Sequence, residues 1–301
     1  MAARPSPRAR ALARGAPSAL ERPPLNKHWR LQQRIQRYGW DLAARDYEPL
    51  WQEQLAPAQA LLQKMAALAP GQRVLDVACG TGLVSFDAAH AVGPHGQVLG
   101  VDLSGAMVEA AAQVALTHRI RNAEFMRMDA QELEFGEAQF DAVLCALGLM
   151  YMPQPERALA QIARVLKPGG EATFSVWGAR ARCGWASVFP IVDAEVQSEV
   201  CPMFFQLGLA DSLAQECEMA GMTVVGQERI SVTLCYDDAD QACDAMFIGG
   251  PVALAWSRFD TVTRLRVRER YLQSIDQWRS PEGFRVPGEF VVVKAAVAEA
   301  A

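Results

Sequence analysis

A chain of 301 residues, 51% hydrophobic and 21% charged, is long enough for one large core, or for one core with a lid. Its net charge of −5 argues against a nucleic-acid binder, because phosphate recognition needs concentrated Lys and Arg. No apolar run approaches the roughly 20 residues that cross a bilayer; the seven cysteines form no C-x-x-C pair, which leaves a structural zinc site without support, and their odd count without an export signal points to reduced thiols in the cytoplasm.

Residues 1–26 are rich in Ala, Pro and Arg, with no acid before Glu21. An organellar targeting peptide has this look, but the composition favours a disordered tail that buries too little to order itself. Residues 27–68 read as N-terminal helices, punctuated by Tyr38, Trp40, Tyr47 and Trp51. A domain over 69–301 follows, in which strands at 73–77, 97–101, 123–127, 140–144 and 171–176 alternate with helices at 83–91, 104–116 and 155–166. That alternation predicts right-handed βαβ units and a parallel sheet. After Trp177 come a helical stretch near 184–196, a loop with Pro202, Phe204 and Phe205, and a helix at 210–220 ended by Gly221. A strand at 223–234, a mostly helical stretch at 237–278 and a last strand at 284–293 complete the chain. The expected fold is a Rossmann-like, seven-stranded, mostly parallel sheet with helices on both faces and an antiparallel C-terminal strand. Helical caps are expected at about 178–207 and 236–280.

Three short patterns carry the chemistry. In VLDVACGTG, residues 74–82, a hydrophobic strand delivers Asp76 and then turns tightly into a helix. Ligands of such sheets bind beyond the carboxyl ends of the strands. Gly80 and Gly82 let backbone approach a ligand, and Asp76 suits the ammonium of a methionine moiety. GVDLS, residues 100–104, ends the second strand in Asp102, a carboxylate able to accept from both ribose hydroxyls. MDAQ, residues 128–131, follows the third strand; Asp129 with the Ala130 N–H can read an adenine edge. Singly, Asp102 and Asp129 are ordinary turn or cap aspartates. In this order after strands one, two and three they form a specific set.

With those motifs, and with FDAVL at 140–144 and RVLKPGG at 164–170, the sequence resembles the class I methyltransferases, in the small-molecule branch that includes the ubiquinone and menaquinone C-methyltransferases. The resemblance runs from about Trp40 to Val176 and fades afterwards. It implies S-adenosyl-L-methionine as cofactor and S-adenosyl-L-homocysteine as product. Asp76, Ala78, Gly80 and Gly82 would hold the methionine part, Asp102 the ribose, and Asp129 with Ala130 the adenine, whose face would pack on Leu103. Cys145 to Leu147 would line the sulfonium region. Ala78 stands where the family often has its first glycine, a small change. A nicotinamide dehydrogenase fits less well: its third small residue would fall at Ser85, and Asp76 would face a diphosphate.

No general base is named. His90, His95 and His118 fall away from the cofactor edge, and His28 lies in the N-terminal segment. Tyr151 is a candidate for orienting an acceptor, with packing under a cap an equal reading. No metal is implied. Tyr38 and Trp40 are expected to close the site; Trp177, Trp185, Phe189, Phe204, Phe205 and Phe247 are pocket candidates whose ordinary reading is core. The expected activity is C- or O-methylation of a small, partly apolar acceptor. Nucleic acid is not expected as a partner, and a homodimer stays open. Two alternatives stand beside it: thiolate-assisted methylation of a metalloid or thiol acceptor, drawing on Cys183, Cys201, Cys217, Cys235 and Cys243, and a non-catalytic cofactor-binding subunit.

Overall fold

The computed structural model describes residues 29–197 and 201–299; the N-terminal tail and His28 lie outside the described residues. The first helix, α1 (Trp29–Ala66), is one continuous element where several helices were expected, and it carries Pro49 and Pro57 inside it. Each proline removes one backbone donor. Packing of Trp51, Leu55, Ala58 and Leu62, all buried, offsets that loss.

The strands β1 (Arg73–Val77), β2 (Gln97–Asp102), β3 (Ala123–Arg127), β4 (Phe140–Ala146) and β5 (Leu166–Trp177) are parallel. Between them run α2 (Leu83–Val92), α3 (Gly105–His118) and α4 (Pro155–Val165). β1, β2 and β4 are near-continuous runs of buried apolar residues, as strands covered on both faces must be. β5 starts earlier than expected, because Leu166 already pairs with Phe140 before the ladder shifts register.

The rest of the chain comprises α5 (Val188–Val196), α6 (Ser212–Met219), β6 (Thr223–Tyr236), α7 (Ala239–Phe247), α8 (Ala253–Arg258), α9 (Thr261–Ile275), β7 (Arg279–Ser280) and β8 (Gly283–Ala296). β8 inserts between β5 and β6 and runs antiparallel to both. The sheet order is β3-β2-β1-β4-β5-β8-β6. The eighth strand, beyond the seven expected, is the two-residue β7 paired with β8. The expected Rossmann-like α/β class and the antiparallel C-terminal strand hold.

Strand order reverses at β1, which has β2 on one side and β4 on the other. Such a switch point opens a crevice at the carboxyl ends of the strands. The register puts Val77 beside Val101 and Asp102 beside Arg127, so the loops after β1, β2 and β3 leave the sheet at one level.

Candidate active site

The turn after β1 is built on left-handed backbone: φ is 57° at Ala78, 54° at Gly80 and 93° at Gly82. A Cβ on Gly82 would lie 2.8 Å from the Phe86 ring, so only glycine fits there. A Cβ on Gly148, in the loop after β4, would meet the Ala78 Cβ at 2.4 Å. The two loops flanking the crevice therefore touch, and the alanine at 78 requires the glycine at 148.

Asp102 is held by backbone donors on both oxygens. The Gly80 N–H donates to Oδ2 at 2.9 Å and the Ser104 N–H to Oδ1 at 2.8 Å. Burial pushes its carboxyl above the usual range, the Ser104 and Gly80 N–H groups oppose this, and the charge of Asp41 adds to it. Ser104 caps α3 by accepting from the Met107 N–H, and its own hydroxyl donates to Asp41 of α1 at 2.6 Å. Asp129 Oδ1 accepts from the Gln131 N–H at 2.9 Å. Asp129 Oδ2 accepts from Gln33 Nε2 of α1 at 2.5 Å. The first helix thus grips both of the loops that carry the two carboxylates.

These groups border a pocket of about 1020 Å³, counting the open solvent at its mouth. Of the residues singled out in the sequence, Ala78, Gly80, Asp102, Leu103, Asp129, Ala130 and Tyr151 line it. Asp76, Gly82 and Cys145 do not. Asp76 is buried beneath the turn, where Ser85 Oγ donates to its Oδ2 at 2.5 Å and its Oδ1 has no partner among the described residues. Burial pushes its pKa up to about 7; Ser85 lowers it and Asp102 raises it. Cys145 is fully buried in the sheet core, and its successors Ala146 and Leu147 reach the cavity instead.

The other wall is aromatic: Trp40, Tyr47 and Trp51 from α1, Tyr151, then Trp177 and Trp185. Trp40 meets Tyr151 edge-on at 5.0 Å and Tyr47 at 5.7 Å. Phe189, Phe204, Phe205 and Phe247 are core residues, as their ordinary reading had it. Tyr38 corrects an expectation: it stands 50% exposed on the outer face of α1, because two helical residues differ by about 200° and only Trp40 turns inward.

Sequence reasoning missed Gln33, Gln36, Met107 and Met150. A signal existed for the first two: Gln33, Gln36, Trp40, Tyr47 and Trp51 recur near the helical period and form one stripe. Gly250 and Pro251, which close the cavity from the loop after α7, carried no local signal. His90, His95 and His118 are all exposed and none borders the cavity. Cys183, Cys201, Cys217, Cys235 and Cys243 do not line it either.

Residues 74–170 match the family described as the methyltransferase domain. Aklanonic acid methyltransferase DauC of Streptomyces sp. (strain C5) is 34% identical over 137 residues, 46% of this chain and 62% of that protein. The ubiquinone/menaquinone biosynthesis C-methyltransferase UbiE of Pseudomonas fluorescens (strain Pf0-1) is 39% identical over 108 residues, 36% of this chain and 42% of that protein. Each match spans less than two thirds of the relative. Phosphoethanolamine N-methyltransferase 2 of Haemonchus contortus, solved with phosphomonomethylethanolamine and S-adenosylhomocysteine, shares the fold at a TM-score of 0.54 and 18% identity, over 86% of this chain and 58% of that one. The segment from β1 to the start of β5 thus matches a methyltransferase domain, and the relatives that share part of the chain are methyltransferases by name.

Proposed function

We propose that this protein transfers the methyl group of S-adenosylmethionine to a small, largely apolar organic acceptor, at carbon or oxygen. One observation carries the reading: a single cavity joins the carboxylates Asp102 and Asp129 to an aromatic wall of Trp40, Tyr47, Trp51, Tyr151, Trp177 and Trp185. The relatives' names, aklanonic acid methyltransferase and ubiquinone/menaquinone C-methyltransferase, agree with an acceptor of this kind.

The residues present fit the cofactor. After accepting one N–H on each oxygen, Asp102 keeps a lone pair on each for a ribose diol. The Ala78–Gly80 backbone borders the cavity with little side chain in the way. Asp129 offers its Oδ2 to an exocyclic amine once Gln33 yields it. When bound, S-adenosylmethionine supplies a methyl group on a positively charged sulfur. The chain's own work is alignment and exclusion of water: the aromatic wall holds a flat apolar acceptor beside Ala146 and Leu147, and α1 closes over both. The Tyr151 hydroxyl is kept protonated by burial, and it acts as a hydrogen-bond donor to an acceptor oxygen rather than as a base.

The thiolate reading has less support. Burial pushes the thiols of Cys183, Cys201, Cys217 and Cys243 up to about 12, and the described residues contain no cluster of His, Cys, Asp and Glu fit for a metal ion. The test uses cofactor labelled in its methyl group, the purified protein and an extract of its source cells, with Asp102→Ala as control. Label in a small extractable compound supports the proposal and identifies the acceptor by mass. Label in RNA or protein overturns the substrate class. S-adenosylhomocysteine binding without any transfer favours a non-catalytic subunit.

A further inference from the structure

The two faces of α1 differ. One face lines the cavity through Gln33, Gln36, Trp40, Tyr47, Trp51 and Leu55. The other is open: between Trp29 and Pro49 the exposed positions are Arg30, Leu31, Arg34, Tyr38, Leu42, Arg45 and Pro49. Leu31, Tyr38 and Leu42, at 46%, 50% and 50% exposure, recur at i, i+7 and i+11, which places them in one row along the helix. Arg34 and Arg45 flank that row, and no Asp or Glu stands among the exposed positions. Arg37 lies over the Tyr38 ring at 4.4 Å, adding a cation at its edge.

Charge along the chain is divided in the same way. The first 40 residues hold eight Arg and one Lys against a single Glu. The whole chain has 29 basic and 34 acidic residues, so the remaining 261 carry 20 basic and 33 acidic. A basic N-terminal segment on an acidic body marks a partner of negative charge. The exposed leucines and tyrosine decide what kind. A nucleic acid would gain from the arginines but nothing from an apolar row at this spacing. A helix lying in the plane of a lipid surface gains from both: its apolar row sinks among the acyl chains while arginines reach the headgroups.

We infer that the outer face of α1, Leu31, Arg34, Tyr38, Leu42 and Arg45, is a peripheral docking surface for an anionic lipid bilayer. It lies on the element that closes the cavity, so a docked molecule holds its lid against the membrane. Within the described residues no helix is long and apolar enough to cross a membrane, so the contact is interfacial.

The test is sedimentation of the full-length protein with phosphatidylcholine vesicles, with and without phosphatidylglycerol. The protein is expected to sediment with the anionic vesicles and to be released by salt. Arg34→Glu/Arg45→Glu and Leu31→Ser/Leu42→Ser should each weaken vesicle binding by about tenfold or more. Arg34→Lys/Arg45→Lys should retain it. All three should keep wild-type affinity for S-adenosylhomocysteine, which reports an intact fold and is independent of any acceptor. No sedimentation of the wild type overturns the inference. So does binding that both loss variants leave intact, which would assign it to another part of the chain. Normal vesicle binding by the leucine variant, with RNA competing for the arginines, also overturns it and makes the face a nucleic-acid surface.

Discussion

The side-chain amide of Gln33 donates to Asp129 Oδ2 at 2.5 Å, a bond that joins the first helix to the loop after β3. It occupies an oxygen that an adenine amine would use. A ligand that must displace an internal partner binds with its affinity reduced by that cost. Gln33→Ala should therefore tighten S-adenosylhomocysteine binding, by about three- to tenfold, given the usual net worth of one hydrogen bond, about 1 kcal/mol. Isothermal calorimetry measures this directly. Weaker binding in the variant would instead make the amide one of the cofactor's own contacts.

Ala78 and Gly148 form a coupled pair. Alanine at φ 57° carries the strain of the left-handed region, so Ala78→Gly should be neutral to stabilising, by up to about 1 kcal/mol. Gly148→Ala would press a methyl onto the Ala78 Cβ, at a cost of about 2 kcal/mol. The double variant removes that collision and should recover most of the loss, leaving only the closer approach to Cys145 Sγ at 3.1 Å. Denaturant melts of all four proteins complete the cycle; strict additivity would refute the contact.

Asp76 sets a pH dependence. Burial, opposed by Ser85 and aided by Asp102, lifts its pKa from 3.8 to about 7 in the folded chain. A raised folded value means stability fully present below the unfolded pKa and lost as pH rises through about 7. Relative to Asp76→Asn, which does not ionise, the wild type should lose on the order of 2–4 kcal/mol between about pH 4 and pH 8. Parallel slopes for the two proteins in thermal melts without cofactor would contradict this.

Tyr151→Phe separates orientation from base catalysis. The phenol is held protonated by burial. Its loss should lower kcat/KM for an oxygen-bearing acceptor by about tenfold, the worth of one hydrogen bond in a dry site. The shape of the pH–rate profile between about pH 6 and pH 9 should not change. Affinity for S-adenosylhomocysteine should stay at the wild-type value. A pH–rate limb that disappears with the hydroxyl would make Tyr151 a base.

Much of this protein was legible from local patterns. Buried strands, the small residues of the turn at 78–82 and the carboxylates of Asp102 and Asp129 are recorded in short windows, since strand period, turn geometry and distance from a strand end are all local. The parallel core and the cavity-lining positions of Ala78, Gly80, Asp102, Leu103, Asp129 and Ala130 followed from them. What tertiary structure alone decided is which side each flanking residue faces. Asp76 and Cys145 sit within two residues of cavity residues in sequence, yet both turn into the protein, where Ser85 bonds the first and the second lies beneath Gly148. Tyr38 and Trp40 looked alike in the sequence, and docking of α1 through Asp41 on Ser104 turned one to solvent and the other to the cavity. Gly250 and Pro251 reach the same cavity from about 80 residues beyond the end of the segment that matches the methyltransferase domain. Side-chain type and spacing are properties of a segment, whereas the facing of a helix is set by whatever long-range contacts bury the most apolar surface and satisfy the most polar groups.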